Sequence, residues 1–128
     1  MRCLIVDDNA DFVDAARGLL ERQGITVVGA ASSSAEALRC FTELEPDVTL
    51  VDINLGGESG FDLVEQLHGA GSPAPSPLIL ISTHAAQDFA DMIATSPAVG
   101  FLSKSALTRC AIRDLVRESG GLQEDDHR

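Results

Sequence analysis

Positive charge is scarce in this chain. Its 128 residues hold 9 Lys and Arg against 20 Asp and Glu, a formal net charge of −11. Binding to phosphate backbones needs a basic face, so a direct nucleic-acid partner is not expected. The acidic balance otherwise serves solubility. Long apolar runs are also missing. None reaches the length of a transmembrane helix, and the N-terminus enters a strand-like segment without a signal-peptide pattern, so no membrane partner is expected. Cysteine is sparse, with only Cys3, Cys40 and Cys110. They are odd in number, widely spaced and set in apolar-looking segments. That reads as reduced core thiols in a cytoplasmic protein, not as a disulfide framework. There is no internal repeat and no low-complexity segment. Gly56, Gly57 and Gly60 are not followed by a Lys-Ser/Thr pair, which excludes a phosphate loop. Ser59 in GESG lacks the flanking glycine of a nucleophile elbow, which excludes that hydrolase chemistry.

What is present suits one compact domain. Apolar residues make up 45% and charged residues 23% of the chain, and a chain of this length buries roughly two-thirds of its unfolded surface without a staple. Five β-branched or apolar runs alternate with five stretches of helical spacing. CLIVDDN (3–9) is followed by Phe12, Ala15, Ala16, Leu19 and Leu20, with Gly24 closing the helix. ITVVGAA (25–31) is followed by a capping box of Ser33 and Glu36 and by Leu38, Phe41 and Leu44. Pro46 and Asp47 end that helix before TLVDINL (49–55), a loop at GGESG (56–60), and a helix with Phe61, Val64 and Leu67. The linker-like GAGSPAPSP (69–77) precedes LILIS (78–82) and a weaker helix with Phe89, Met92 and Ile93. VGFLSK (99–104) precedes a last helix carrying Leu107, Ala111, Ile112, Leu115 and Val116, and a polar tail from Gly120. Such alternation predicts an α/β fold, a doubly wound five-stranded parallel sheet with helices on both faces.

Chemistry-bearing residues fall at the strand ends: Asp7 and Asp8, Asp52, Ser82 and Thr83, and Lys104. In such a sheet these ends share one edge, near the point where strand order reverses. Three carboxylates in one site repel each other and call for a cation. With only oxygen ligands on offer, a hard ion such as Mg²⁺ fits best. A hydroxyl and an ammonium suit phosphoryl oxygens, which implies phosphoryl transfer to a carboxylate. Each residue has a plainer rival reading: Asp7, Asp8 or Asp52 as a helix or turn cap, Lys104 as a surface lysine, Asn54 as a turn residue, Phe101 as core. His84, two positions after Ser82, is either close enough to influence water attack on an aspartyl phosphate or an exposed loop histidine.

In these motifs the chain resembles the receiver domain of two-component response regulators, from Arg2 to about Glu118. An acidic pair follows strand one, an Asp strand three, a Ser or Thr strand four and a Lys strand five. The separations are 44 from Asp8 to Asp52, 30 from Asp52 to Ser82 and 22 from Ser82 to Lys104. The resemblance implies a flavodoxin-like fold with strand order 2-1-3-4-5, a receiver unit over residues 1–119 and a polar tail over 120–128. It implies that Asp52 accepts phosphoryl from a histidine kinase or phosphotransfer protein. Asp8 would bind Mg²⁺ directly, Asp7 through water, and the Asn54 carbonyl would complete the protein's share of the shell with Asp52. Ser82, preferred to Thr83 on spacing, and Lys104 would hold phosphoryl oxygens, and Phe101 would be the aromatic switch. The family usually has Pro where Gly56 and Ser105 stand. A cis bond before a non-proline residue costs roughly 2.5–4 kcal/mol, which favours a trans Lys104–Ser105 bond. The segments ISTHAA and GFLSKSAL look most like receivers that precede a helix-turn-helix output domain; none follows here, so output through a partner protein, or through a second copy of the chain, is expected. The expected activity is a signalling switch, not an enzyme. The alternatives are a receiver-like scaffold that takes no phosphoryl, and an aspartyl-nucleophile phosphatase. The latter pattern needs a second Asp where Asn54 stands.

Overall fold

The computed structural model describes residues 1–70, 76–83 and 86–118. Most of the linker-like segment, His84 and the polar tail lie outside the described residues. β1 (Arg2–Val6), β2 (Thr26–Ala31), β3 (Val48–Asp52), β6 (Leu78–Ser82) and β7 (Gly100–Ser103) form one parallel sheet in the order β2-β1-β3-β6-β7. Counted within that sheet, this is the expected 2-1-3-4-5. Between β3 and α3 (Gly60–Ala70), β4 (Asn54–Leu55) and β5 (Glu58–Ser59) form a small antiparallel hairpin where a plain loop was expected.

The sheet separates two cores, as near-continuous apolar strands require. Leu4, Val6, Val51 and Leu80 pack against α2 (Ser34–Leu44) and α3 through Phe41, Leu63 and Leu67. Cys3, Ile5, Leu50, Ile79 and Ile81 pack against α1 (Ala10–Arg22) and α5 (Arg109–Glu118) through Leu20, Ile112 and Val116. A 3₁₀ turn (Ala86–Phe89) leads into the short α4 (Ala90–Thr95); Phe89 of the turn and Ile93 of the helix lean on the first core while Met92 is exposed. No described helix is long and apolar enough to cross a membrane.

Three local readings change. Only Cys3 is fully buried, with burial pushing its pKa up to about 12; Cys40 is half-buried at the margin of the α2 core, and Cys110 is exposed on α5. The capping box is displaced by one residue. Ser33 Oγ accepts from Glu36 N at 3.3 Å, but the Glu36 carboxylate turns outward to the N–H of Ser32 at 2.8 Å. Leu107 is buried ahead of α5 and not within it.

Candidate functional site

The parallel register carries the acidic residues together. Val6 pairs with Val51 across β1 and β3, so Asp7 and Asp52 leave the sheet side by side. Carboxylate oxygens of Asp7, Asp8 and Asp52 lie within 4.8 Å of one another, with Asp7 and Asp52 buried and Asp8 exposed. Neither Asp7 nor Asp8 caps α1. Asn9 does so, its side chain accepting from the N–H groups of Asp11 at 3.0 Å and Phe12 at 3.2 Å. Nor does Asp52 cap α3, whose first N–H, that of Gly60, donates to the Ile53 carbonyl at 2.9 Å, and whose next two, Phe61 N at 3.2 Å and Asp62 N at 3.5 Å, go to Ser59 Oγ. Freed from capping, each buried Asp is held by the backbone just beyond it: Asn9 N donates to Asp7 Oδ1 at 2.8 Å and Asn54 N to Asp52 Oδ1 at 3.2 Å.

The remaining oxygens meet Lys104. Its Nζ lies 2.6 Å from Asp7 Oδ2 and 3.2 Å from Asp52 Oδ2. The lysine begins a 3₁₀ turn (Lys104–Ala106) capped by Ser103, whose Oγ accepts from Ser105 N at 3.3 Å. No peptide bond among the described residues is cis, so the Lys104–Ser105 bond is trans, as expected, and the lysine reaches the acidic edge regardless. The ring of Phe12, on the first turn of α1, lies 4.3 Å from Nζ and gives the ammonium a cation–π surface.

Burial raises the Asp52 pKa, and the negative charge of Asp7 adds to this, against the opposing Asn54 N–H and Lys104. Burial by itself would lower the Lys104 pKa, but the hydrogen bond it donates to Asp7 and the charges of Asp52 and Asp7 outweigh it and raise it. The lysine is therefore a firm cation, and the Asp52 carboxylate is a charge the fold tolerates at some expense.

The donor set suits a hard divalent ion. It is all oxygen, one member is exposed, and one ammonium cannot balance three carboxylates. A cleft of about 260 Å³ lined by Asp8, Val13, Ala30 and Ser32 adjoins the cluster and leaves room for the waters such an ion keeps. Two glycines shape this edge. Gly56 has φ +68°, a left-handed conformation closed to proline, and a Cβ there would stand 2.8 Å from Asp8 Oδ2. The family's usual Pro thus could not take this path. A Cβ on Gly60 would collide with the Asp52 carbonyl oxygen.

The other predicted residues are placed as follows. Ser82 ends β6, 3% exposed, and pairs in register with Ser103, while Thr83 is exposed. Asn54 is exposed at the start of the hairpin. Phe101 is half-buried against the α2–α3 core. Phe12 was legible only as a core position of α1. Glu58 carried no sequence signal at all, yet its Oε1 accepts from Ser34 N at 2.9 Å across 24 residues.

Comparison with known proteins agrees with this geometry. The family model for the response regulator receiver domain matches residues 3–117. The response regulator GacA of Pseudomonas viridiflava is 31% identical over 108 residues, covering 83% of this chain and 49% of that protein. A protein-glutamate methylesterase/protein-glutamine glutaminase of Burkholderia thailandensis is 31% identical over 126 residues, 92% of this chain and 34% of its own length. The chain spans about half the length of the first curated relatives it matches, 49% and 52%. Among solved structures, the signal receiver domain of the response regulator NarL from Mycobacterium tuberculosis superposes with a TM-score of 0.76 at 28% identity, covering 92% of this chain and 94% of that one. The chain belongs to the response regulator receiver domain family.

Proposed function

We propose that Asp52 accepts a phosphoryl group from the phosphohistidine of a sensor histidine kinase or phosphotransfer protein, in a Mg²⁺-dependent reaction, and that a partner protein reads the resulting change. The observation that carries this reading is the convergence of Asp7, Asp8 and Asp52 within 4.8 Å, with Lys104 at 3.2 Å from the Asp52 carboxylate. An Asp52 oxygen forms the new bond to phosphorus. The bond from phosphorus to the imidazole nitrogen breaks, and the electron pair leaves with that nitrogen. Asp8, Asp52 and the Asn54 carbonyl would hold the ion directly and Asp7 through water; when bound, Mg²⁺ neutralises charge gathering on the phosphoryl oxygens. Lys104 passes from the Asp52 carboxylate to a phosphoryl oxygen, keeping an ionic partner throughout. Ser82 takes another oxygen, Thr83 stays outside, and Phe101 turns inward as the hydroxyl moves, biasing a two-state surface. Residues 1–119 act as the receiver unit and 120–128 as a polar tail. The competing scaffold reading leaned on Gly56 and Ser105. With both in place Lys104 still reaches the carboxylates, which favours phosphorylation.

The test is intact-mass analysis after incubation with acetyl phosphate and Mg²⁺, with Asp52→Asn alongside. One added phosphoryl group on the wild type, lost in the variant and without Mg²⁺, is the expected result. Equal uptake by Asp52→Asn would place the acceptor elsewhere. No adduct, together with no Mg²⁺ binding, would favour the scaffold.

A further inference from the structure

The hairpin of β4 and β5 carries two parts of the acidic edge: Asn54 beside Asp52, and Gly56 against Asp8. Its ladder is only two residue pairs, Asn54 with Ser59 and Leu55 with Glu58. A ladder that short does not hold itself in water. On one side it is held by Leu55, which is buried in the core. At its base, Gly60 N donates to the Ile53 carbonyl at 2.9 Å. On the other side the hold is Glu58, whose Oε1 accepts a 2.9 Å hydrogen bond from Ser34 N. Ser34 is the first residue of α2 and Ser33 its cap. The N–H groups of a first turn have no intrahelical acceptors, and a carboxylate there is further favoured by the helix dipole. The nearer candidates are engaged elsewhere: Ser33 Oγ takes Glu36 N, and the Glu36 carboxylate takes the N–H and hydroxyl of Ser32. α2 is itself fixed to the sheet by the buried Ala37 and Phe41. Leu55 and the Gly60–Ile53 bond fix the base of the hairpin, and one charge-assisted bond ties its β5 side to a rigid element.

We propose that Glu58 is a positioning residue for the acidic site, clamping the hairpin to the N-terminus of α2 and so setting how well Asp8, Asp52 and Asn54 together hold a divalent cation. Glu58 does not touch the ion. The proposal rests on the reading of the acidic cluster as a Mg²⁺ site and adds a determinant of its affinity from outside the cluster.

The experiment uses both ends of the bond. Glu58→Ala removes the acceptor, and Glu58→Gln keeps it. Ser34→Pro removes only the donor, because proline is welcome at the first helical position and the extended Ser33, at φ −146° and ψ 166°, tolerates a following proline. Backbone order of residues 54–59 is measured by amide NMR relaxation without metal, and Mg²⁺ affinity by titrating the same amide signals. Loss of a partner outside the direct ligands weakens metal affinity, here by about fivefold, below the span seen for direct partners of ligands. Glu58→Ala and Ser34→Pro are each expected to loosen the hairpin and weaken Mg²⁺ about fivefold, the double variant about fivefold and not twenty-five-fold, since both remove one bond. Glu58→Gln is expected to stay within about twofold of the wild type. Unchanged hairpin order in Glu58→Ala overturns the clamp. A loosened hairpin with unchanged affinity overturns the positioning role, as does full additivity of the two losses. If the wild type takes no Mg²⁺, the metal reading falls and the positioning role with it, while the hairpin order still judges the clamp alone.

Discussion

Adding one methyl group at Gly56 tests whether this glycine shapes the acidic edge. Two effects act in Gly56→Ala. The backbone stays at φ +68°, where a residue with a Cβ pays about 1–2 kcal/mol. The new Cβ stands 2.8 Å from Asp8 Oδ2, about 0.6 Å inside the 3.4 Å of ordinary contact, so the carboxylate must move. Asp8 is exposed, so it can swing away at little cost in stability, and that loss falls on the ion site. Metal-free protein should lose about 1–2 kcal/mol, or about 3–8 °C in Tm for a domain of this size. At a Mg²⁺ concentration 100 times its Kd, the wild type gains about 2.7 kcal/mol; a variant with tenfold weaker binding gains about 1.4 kcal/mol. Gly57→Ala is the control. Its Cβ meets nothing within 4 Å, and it should stay within about 0.5 kcal/mol. Thermal unfolding with and without Mg²⁺ measures both effects. The reasoning fails if Gly57→Ala destabilises as much as Gly56→Ala, or if Gly56→Ala keeps the full Mg²⁺ response.

Three further outcomes follow from the same geometry. Because the folded-state pKa of Asp52 is raised by burial, the native state holds that proton longer than the unfolded chain; metal-free stability therefore falls as pH rises from the ordinary carboxylate value through the raised one. Asp52→Asn should remove that decline and be the more stable protein at pH 7 in urea titrations, and a variant less stable than the wild type there refutes the assignment. Lys104→Ala strips the counter-charge from Asp7, whose side chain is fully buried, and should cost about 2 kcal/mol without metal, moderated by the solvent that reaches the lysine. Mg²⁺ should restore most of it, and a variant that unfolds like the wild type in calorimetry would count against the pairing. The Thr49 hydroxyl is fully buried and finds no hydrogen-bond partner among the described residues. Thr49→Val should therefore stabilise by about 1 kcal/mol, read as a higher denaturation midpoint; a lower midpoint would reveal a partner.

Much of the site was legible because the strand ends are short, local signals. Apolar runs ending in Asp7, Asp52 and Ser82 name both the strand and the edge it serves, and parallel pairing then brings those ends together. Asp8 and Lys104 follow from the same alternation. Cap assignments were less legible, because Asp7, Asp8 and Asn9 are all competent N-caps and only the path of the chain after β1 gives the place to Asn9. The capping box shows the same limit: its residues were read, but Glu36 turned to Ser32, where a second donor, the hydroxyl, is available.

By itself the sequence determined the alternation of strands and helices, the two-faced core and the edge that carries the carboxylates, since each depends on periodicity within a dozen residues. Only the tertiary structure decided what those carboxylates meet. Lys104 lies 52 residues from Asp52 and sits between it and Asp7 over the Phe12 ring. Gly56 turns left-handed against Asp8, and Glu58 reaches Ser34 N. These contacts join segments distant in sequence and depend on sub-ångström approach and on which donors their neighbours leave free, and neither is written in local composition.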